Sequence, residues 1–218
     1  IVMPVTAPAV KVEAVRRFGG AQVEVLLAGD SYSEAEAEAA RLVAAREAVF
    51  VHPFDDADVI AGQATVALEI LRQHTGPLGG GGLLAGVASV IKTLRPEVAV
   101  IGVQAADADA MTRSLEQGRR VTLDEVGLFA DGTAVKQVGA LTFALCRAHV
   151  DAMLRVDTDA LCAAMRDIYE DTRSVPEPAG ALALAGLKQY ATAHPGTAPL
   201  LAIVSGANLN FDRLRFVA

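Results

Sequence analysis

The sequence predicts an α/β fold in which short parallel strands alternate with helices. Apolar runs rich in valine and isoleucine alternate along the 218 residues with segments whose apolar positions recur at helical spacing. These helical segments are about 10–15 residues long, the length that connects parallel strands through crossover helices. Hydrophobic residues make up 52% of the chain, which is enough for one large core or two small ones.

The first part of the sequence predicts three strands separated by two helices. The strands are predicted at residues 1–6, 22–27 and 49–51. A first helix, residues 11–18, ends at a pair of glycines. The second helix is predicted to begin at Ser33, because Ser33 and Glu36 have the spacing of a capping box. We place a domain boundary after residue 63, which divides the chain into residues 1–63 and 64–218.

The rest of the sequence continues the same alternation. Helices are predicted at residues 59–73, 83–94, 107–117 and 141–153, and from Thr158 and Pro178 onward. Strands are predicted at residues 98–104 and 200–204. Residues 119–136 show no regular period, and long irregular stretches of compact domains are commonly functional. This part is therefore predicted to form a larger α/β domain.

Charge and cysteine content exclude several function classes. The formal net charge is −7, so the chain offers no positive field to nucleic acid or to an anionic membrane surface. Its longest uncharged apolar run, residues 76–91, is shorter than the roughly 18 residues of a spanning helix. Two cysteines are too few for a disulfide scaffold, and the four histidines lack metal-ligand or catalytic-triad spacing. We expect a soluble, cytoplasmic protein without a metal site.

Three local features are candidates for ligand binding. The run Gly79-Gly80-Gly81-Gly82 precedes an apolar helix, where unobstructed backbone N–H groups bind phosphate; the alternative is a linker or a tight turn. Ser205 follows a predicted strand, where ligands sit in parallel sheets, or it belongs to an ordinary turn. Glu177 begins a helix and either faces a site or caps a surface helix. The acidic residues after His52, in VHPFDD, are interpreted as a helix N-terminal cap rather than a cation site.

Five segments carry a resemblance that covers nearly the whole chain. They read VHPFDDADVIAGQATVALEIL, GGGGLLAGVASVIK, VGLFADGTAVKQVG, DALCAAMRDIYEDTRSVPEPAGALALAGLKQY and IVSGANLNFDRLRFV. In this order they resemble the biosynthetic threonine deaminases (threonine ammonia-lyases), and the opening IVMPVTAPAVKVEAVRRFGGAQV resembles the small domain of that family. The resemblance implies a fold-type-II pyridoxal-phosphate enzyme, similar to tryptophan synthase β, with two parallel-sheet α/β domains. Residues 1–63 would be part of the small mobile domain, and residues 64–218 would be the large cofactor-binding domain.

The resemblance also implies which residues form the site. The pyridine nitrogen of pyridoxal 5'-phosphate is expected to meet Ser205. Independently of the resemblance, the place of Glu177 at a helix N-terminus makes it a candidate on the substrate side. The cofactor phosphate is expected to be cradled by Gly79, Gly80, Gly81, Gly82 and Leu83. A serine hydroxyl holds a ring proton less firmly than an aspartate would, which favours β-elimination over a fully developed carbanion.

No catalytic residue is identified in the sequence. The Schiff-base lysine of the family lies in an S-F-K-x-R-G-A segment, which none of the four lysines matches; they are Lys11, Lys92, Lys136 and Lys188. We expect the lysine segment, and with it the N-terminal part of the family fold, to precede Ile1. We likewise expect the family's C-terminal regulatory domain to lie outside this chain.

The resemblance implies deamination of L-threonine, and of L-serine, by β-elimination of water. L-Threonine would yield 2-oxobutanoate and ammonia, the first step of isoleucine biosynthesis, and the family implies a homo-oligomer, a dimer or a tetramer. Three alternatives stay open: a non-catalytic fragment without the Schiff-base lysine, a related serine/threonine dehydratase, and a serine racemase. A nucleotide-binding domain is disfavoured, because no acidic residue follows a second strand as the dinucleotide fingerprint requires.

Overall fold

The chain folds as two compact units. The computed structural model describes residues 1–73, 82–196 and 199–217. The first unit contains Ile1–Val51 together with Ala207–Ala218, and the second contains His52–Gly206. The boundary predicted after residue 63 falls inside a helix of the second unit, because that whole helix packs against the helix that follows it.

The first unit contains two short parallel strands and two helices. β1 (Val2–Met3) pairs in parallel with β2 (Leu26–Leu27). α1 (Ala9–Gly19) follows β1, and α2 (Tyr32–Arg46) follows β2. The strand predicted at residues 49–51 is not formed, and its three side chains are exposed. Among the described residues of this unit, no neighbouring strand offers residues 49–51 a ladder to join.

The cap of α2 differs from the predicted one in position but not in type. The side-chain oxygen of Ser31, rather than that of Ser33, accepts a hydrogen bond from the N–H of Glu34 at 3.3 Å. Oε2 of Glu34 in turn accepts a hydrogen bond from the N–H of Asp30 at 2.7 Å. Ser31 and Glu34 have the same three-residue spacing as the predicted pair, so α2 begins two residues earlier than expected.

The second unit contains a parallel pair of strands surrounded by helices. β3 (Ile101–Ala105) pairs in parallel with β4 (Ala152–Val156) along its whole length. The helices are α3 (Ala57–Gln73), α4 (Gly82–Leu94), α5 (Ala110–Gln117), α6 (Ala140–His149), α7 (Thr158–Thr172) and α8 (Pro178–Ala193). The predicted α/β class with parallel strands is confirmed.

Two predictions for the second unit are wrong. The helix predicted at residues 141–153 ends at His149, and β4 takes the place of its last turn. The cause is pairing with the chain just before β3: the N–H of Asp151 donates to the carbonyl oxygen of Val100 at 3.0 Å, and Oδ2 of Asp151 accepts from the N–H of Val100 at 2.7 Å. The strand predicted at residues 200–204 is not formed.

The hydrophobic core of the second unit centres on α4. Leu84, Val87 and Ile91 of this helix are almost completely buried. Gly86 brings α4 directly against α3, since a Cβ atom at Gly86 would lie only 2.6 Å from the carbonyl oxygen of Ile60. Although α4 is strongly apolar, neither it nor any other helix of the described residues is long and apolar enough to cross a membrane.

Candidate functional site

The second unit contains an open cavity of about 480 Å³. Helices α3, α4, α5, α6 and α8, both strands β3 and β4, and residues 132–135 and 203–205 contribute to its wall. The described residues that line it carry no charged side chain; the polar ones are Gln63, Gln104, Thr133, Thr142 and Ser205. A mainly apolar cavity of this size with a few polar groups is typical of a small-molecule site.

Two of the predicted cofactor residues meet at this cavity. Leu83, in the first turn of α4, and Ser205 both line its wall. Gly79, Gly80 and Gly81 lie outside the described residues, and Gly82 is the first residue of α4. The N-terminal turn of α4 therefore borders the cavity. A helix N-terminus attracts phosphate, because its first N–H groups have no partner within the helix and the helix dipole is positive there.

Glu177 is buried beside the turn that follows Ser205. It is the N-cap residue of α8, and its N–H donates a hydrogen bond to the carbonyl oxygen of Gly206 at 3.0 Å. A Cβ atom at Gly206 would lie 2.5 Å from Oε1 of Glu177, and one at Gly180 would overlap the carbonyl oxygen of Gly206. Glu177 is only 9% exposed, so it is not a surface cap. It fixes the backbone next to Ser205 without lining the described cavity wall.

Asp55 is a structural residue of the site whose partners the sequence does not reveal. Its carboxylate accepts hydrogen bonds from the N–H of Ala140 at 2.8 Å, the N–H of Thr142 at 2.9 Å and Oγ1 of Thr142 at 3.3 Å. Asp55 thus caps α6 across more than 80 residues of chain, and both Thr142 and the neighbouring Phe54 line the cavity. The only sequence feature that pointed to Asp55 is the acidic run in VHPFDD.

The interpretation of VHPFDD as a helix cap is confirmed for Asp56. Oδ1 of Asp56 accepts hydrogen bonds from the N–H groups of Asp58 at 2.9 Å and Val59 at 3.1 Å, at the start of α3. Nδ1 of His52 accepts a hydrogen bond from the N–H of Asp55 at 2.9 Å. The two neighbouring aspartates therefore cap two different helices.

The irregular residues 119–136 supply part of the cavity wall. A 3-10 turn at Asp131–Thr133 places Gly132 and Thr133 there. Nζ of Lys136 donates to the carbonyl oxygen of Asp124 at 2.9 Å, and the N–H of Leu123 donates to the carbonyl oxygen of Lys136 at 2.8 Å. These bonds join two distant parts of the irregular segment beside the cavity.

A network of charged side chains lies beside Gln104, a residue of the cavity wall. Arg155 stands opposite Gln104 in the β3–β4 pair, and its guanidinium contacts Asp109 at 2.7 Å and Glu116 at 2.8 Å. Burial opposes ionisation of Asp109, but hydrogen bonds and positive charge from Arg155 and Arg113 outweigh it, so the pKa of Asp109 lies below its ordinary value. The charged groups of this network pair with one another, and none of them lines the cavity wall.

The lysine side chains of the second unit are engaged away from the cavity. Nζ of Lys92 forms an ion pair with Oδ2 of Asp151 at 2.7 Å, and Lys188 pairs with Asp167. Lys136 bonds to a backbone carbonyl, as described above. The cavity wall, as far as the structure describes it, includes no lysine, and the described residues contain no cluster of side chains suited to a metal ion.

Comparison with known protein families identifies the chain's relatives. Residues 1–206 match the family described as "Pyridoxal-phosphate dependent enzyme". The chain belongs to this family. Its members depend on pyridoxal phosphate, and solved structures of fold-type-II members have the same fold as this chain.

Three members of the pyridoxal-phosphate family are similar to this chain over nearly its whole length. The chain is 60% identical to "L-threonine dehydratase biosynthetic IlvA" of Burkholderia multivorans, an alignment that covers all of this chain and 45% of the relative. It superposes with a TM-score of 0.92 on threonine deaminase isoform 2 of Solanum lycopersicum, at 41% identity over all of this chain and 61% of that one. It superposes on maize serine racemase with a TM-score of 0.87, at 32% identity over 99% of this chain and 68% of that one.

The chain is shorter than its relatives in two ways. It spans less than half the length of the threonine dehydratase from Burkholderia. In addition, that alignment extends over 226 positions although this chain has 218 residues, so at least eight positions within the aligned region have no residue of this chain opposite them.

The described residues of this family member suit its cofactor. Ser205 offers a hydroxyl, which can both donate and accept a hydrogen bond, to the nitrogen of a pyridine ring. The N-terminal turn of α4 offers backbone N–H groups to a phosphate in a wall that has no competing carboxylate. Gly180 and Gly206 pack closely beside the turn that carries Ser205, since a Cβ atom at Gly180 would overlap the carbonyl oxygen of Gly206.

Proposed function

We propose that this chain forms part of the catalytic core of a pyridoxal-phosphate-dependent threonine dehydratase. The reaction would convert L-threonine to 2-oxobutanoate and ammonia, the first step of isoleucine biosynthesis. The observation that carries the proposal is 60% identity, over the whole chain, to a protein named L-threonine dehydratase. The cavity supports it, because Leu83 and Ser205 both line it.

The chain's own residues would hold the cofactor from two sides. The glycine run would cradle the phosphate at the N-terminus of α4, and the hydroxyl of Ser205 would bond to the ring nitrogen; the residues of the cradle are Gly79, Gly80, Gly81, Gly82 and Leu83. When bound, pyridoxal phosphate withdraws electrons from the substrate's α-carbon and so acidifies its α-proton. Ser205 would orient the ring without placing a negative charge beside it.

The remaining wall would shape the space for the amino-acid substrate. Apolar residues such as Val135 and Leu182 exclude water, which strengthens the few polar interactions inside the cavity. We keep Glu177, the buried N-cap residue of α8, as a candidate on the substrate side; its N–H bonds to the carbonyl oxygen of Gly206, the residue after Ser205. None of the described wall residues is a lysine, so none of them can supply the Schiff-base nitrogen.

Three further assignments belong to the same proposal. We assign the first unit to the small domain of the family fold and the second unit to the large, cofactor-binding domain. The protein would be cytoplasmic and would assemble as a homo-oligomer, a dimer or a tetramer. Light scattering of the purified protein measures the assembly directly, and a monomer at micromolar concentration would contradict that assignment.

Product analysis tests the proposed reaction against its alternatives. The purified protein is incubated with pyridoxal phosphate and either L-threonine or L-serine; 2-oxo acids and D-serine are then measured in the same samples. 2-Oxobutanoate as the main product from L-threonine is the expected result for a protein in which this chain is joined to a segment that carries the family's Schiff-base lysine. D-Serine without 2-oxo acid would indicate a serine racemase, to which the similarity with the maize enzyme points. Cofactor binding without any product would indicate a non-catalytic chain.

A further inference from the structure

The helix α3 has one face that is exposed over nearly its whole length. Its opposite face packs against α4, and Ile60 and Ala67 are buried there. Because successive residues of a helix turn by about 100°, the exposed residues three and four positions apart fall on one side, which we call the outer α3 face. Its residues are Asp58, Ala61, Gly62, Thr65, Leu68, Glu69 and Arg72.

The outer α3 face ends in charges of opposite sign. Asp58 lies in the first turn of the helix and Arg72 in the last. Both lie about two helical turns, or about 10 Å, from Thr65 in the middle. The guanidinium of Arg72 pairs with Glu69 at 2.7 Å, but the side chain is 72% exposed and a guanidinium has five N–H donors. Arg72 can therefore bind a second carboxylate from outside the chain.

The middle of the outer α3 face has a projection and a matching space. Leu68 is 40% exposed, whereas a Cβ atom at Gly62 would meet nothing within 4 Å. Gly62 and Leu68 lie at equal distances on either side of Thr65, as Asp58 and Arg72 do. A twofold axis at Thr65 therefore brings Leu68 of each chain over Gly62 of the other, because twofold contacts are reciprocal. Small residues at the crossing let two helix axes approach closely.

We propose that the outer α3 face binds the same face of a second copy of this chain, with the two helices antiparallel. The inference rests on the proposed homo-oligomer and names the surface through which it forms. Asp58 of each chain meets the partner's Arg72, so two ion pairs flank the contact between Leu68 and Gly62. A parallel pair in register would instead place like charges opposite each other at both ends. The charge pattern therefore selects both the partner and its orientation.

Charge reversals in two separate chains test this pairing. Asp58→Arg makes both ends of the outer α3 face positive, and Arg72→Asp makes both ends negative. Sedimentation equilibrium measures the dissociation constant of each dimer. We expect the wild-type chain to form dimers and each variant alone to have a dissociation constant at least about tenfold higher, because like charges then meet at both ends. An equal mixture of the two variants should associate about as tightly as the wild type, because every end contact again joins opposite charges.

Thr65→Cys tests the position of the axis without changing any charge. Residue 65 lies opposite its own copy, and two helices in close contact bring the Cα atoms within the roughly 7 Å that a disulfide can span. We expect oxidation to join most Thr65→Cys chains in pairs. Thr93→Cys is the matched control, because both threonines are exposed and donate their hydroxyl hydrogen to a carbonyl of their own helix. Equal cross-linking of the two variants would overturn the proposal.

The controls separate this surface from the homo-oligomer as such. Asp171→Arg reverses an exposed charge on α7, and its dissociation constant should equal that of the wild type. Circular dichroism verifies that each variant is folded. Dimers as tight in Asp58→Arg as in the wild type, or a mixture that associates no better than its two components, would overturn the α3 interface and leave the homo-oligomer in place. A monomeric wild-type chain would overturn both.

Discussion

The N–H of Glu177 donates a hydrogen bond to the carbonyl oxygen of Gly206, at 3.0 Å. This bond joins the N-cap residue of α8 to the residue after Ser205. The buried Glu177 therefore lies next to the turn that carries the Ser205 hydroxyl, which lines the cavity. Gly180, in the first turn of α8, packs against the same carbonyl oxygen. The position of Ser205 therefore depends on residues that do not line the cavity.

Gly206→Ala tests this dependence. The new methyl group would lie 2.5 Å from Oε1 of Glu177, so the turn or the carboxylate must shift. We expect a loss of about 1–3 kcal/mol in the free energy of unfolding, together with weaker binding of pyridoxal phosphate. Urea unfolding and a cofactor titration measure the two effects. Gly196→Ala is the matched control, because a Cβ atom there meets nothing within 4 Å. Equal behaviour of the two variants would contradict the tight packing.

Ser205→Ala tests the assignment of the ring-side residue. Removal of the hydroxyl deletes a hydrogen bond to the cofactor, and we expect about a tenfold weaker affinity for pyridoxal phosphate. Stability should change little, because Ser205 is exposed. Absorbance titration of the cofactor measures the affinity, and Ser174→Ala, at an exposed serine outside the cavity wall, is the control. An affinity equal to that of the control would place the ring nitrogen elsewhere.

Local patterns predicted the class of this fold and most of its helices. Helical spacing located the α-helices of the described residues to within a few residues, apart from the C-terminal end of α6. Ser205, which follows an apolar run, lines the cavity, and its role toward the cofactor stays a prediction. The capping signal near Ser33 was correct in type, but Ser31 and Glu34 offer the same spacing and take the role. Such signals depend only on neighbouring residues, which a sequence shows directly.

Features that depend on distant residues could not be predicted in the same way. The strand β4 exists because Asp151 bonds to Val100, some 50 residues earlier, and this pairing overrides a helical pattern. Residues 200–204 fail to form a strand for the opposite reason, since the described residues offer them no partner. The three hydrogen bonds of Asp55 to α6 likewise leave no periodic trace in the sequence.

Asp55→Ala should destabilise the second unit. The substitution leaves the N–H groups of Ala140 and Thr142 without their acceptor at the start of α6, at an expected cost of about 1–3 kcal/mol. Urea unfolding measures this loss, and Asp124→Ala, at an exposed side chain, is the control. Gly139→Ala extends the test, because a Cβ atom there would overlap the carboxylate of Asp55. Its cost should shrink when Asp55 is already alanine, and strictly additive costs would rule out this contact.

The Asp109–Arg155 pair should make stability depend on acid pH. Because folding lowers the pKa of Asp109 below its ordinary value of 3.8, this carboxylate stabilises the fold above that value, and its contribution disappears as the pH falls through the folded-state pKa. We expect Asp109→Asn to cost about 1–2 kcal/mol at pH 7 and to reduce the acid dependence of the free energy of unfolding. Urea unfolding from pH 7 downward measures both quantities. The exposed Asp171→Asn is the control, and a variant curve parallel to that of the wild type would contradict the pairing.

The 218-residue chain should bind pyridoxal phosphate without forming a covalent bond. Lys92 and Lys188 form ion pairs, and Lys136 bonds to a backbone carbonyl. The described cavity wall contains no lysine. We expect gel filtration to release the cofactor, and borohydride reduction with one equivalent of cofactor to leave the mass at that of the 22.6 kDa chain. Intact-mass spectrometry provides the measurement. A stoichiometric adduct that maps to one of the four lysines would show that the chain supplies its own Schiff-base residue and would contradict this prediction.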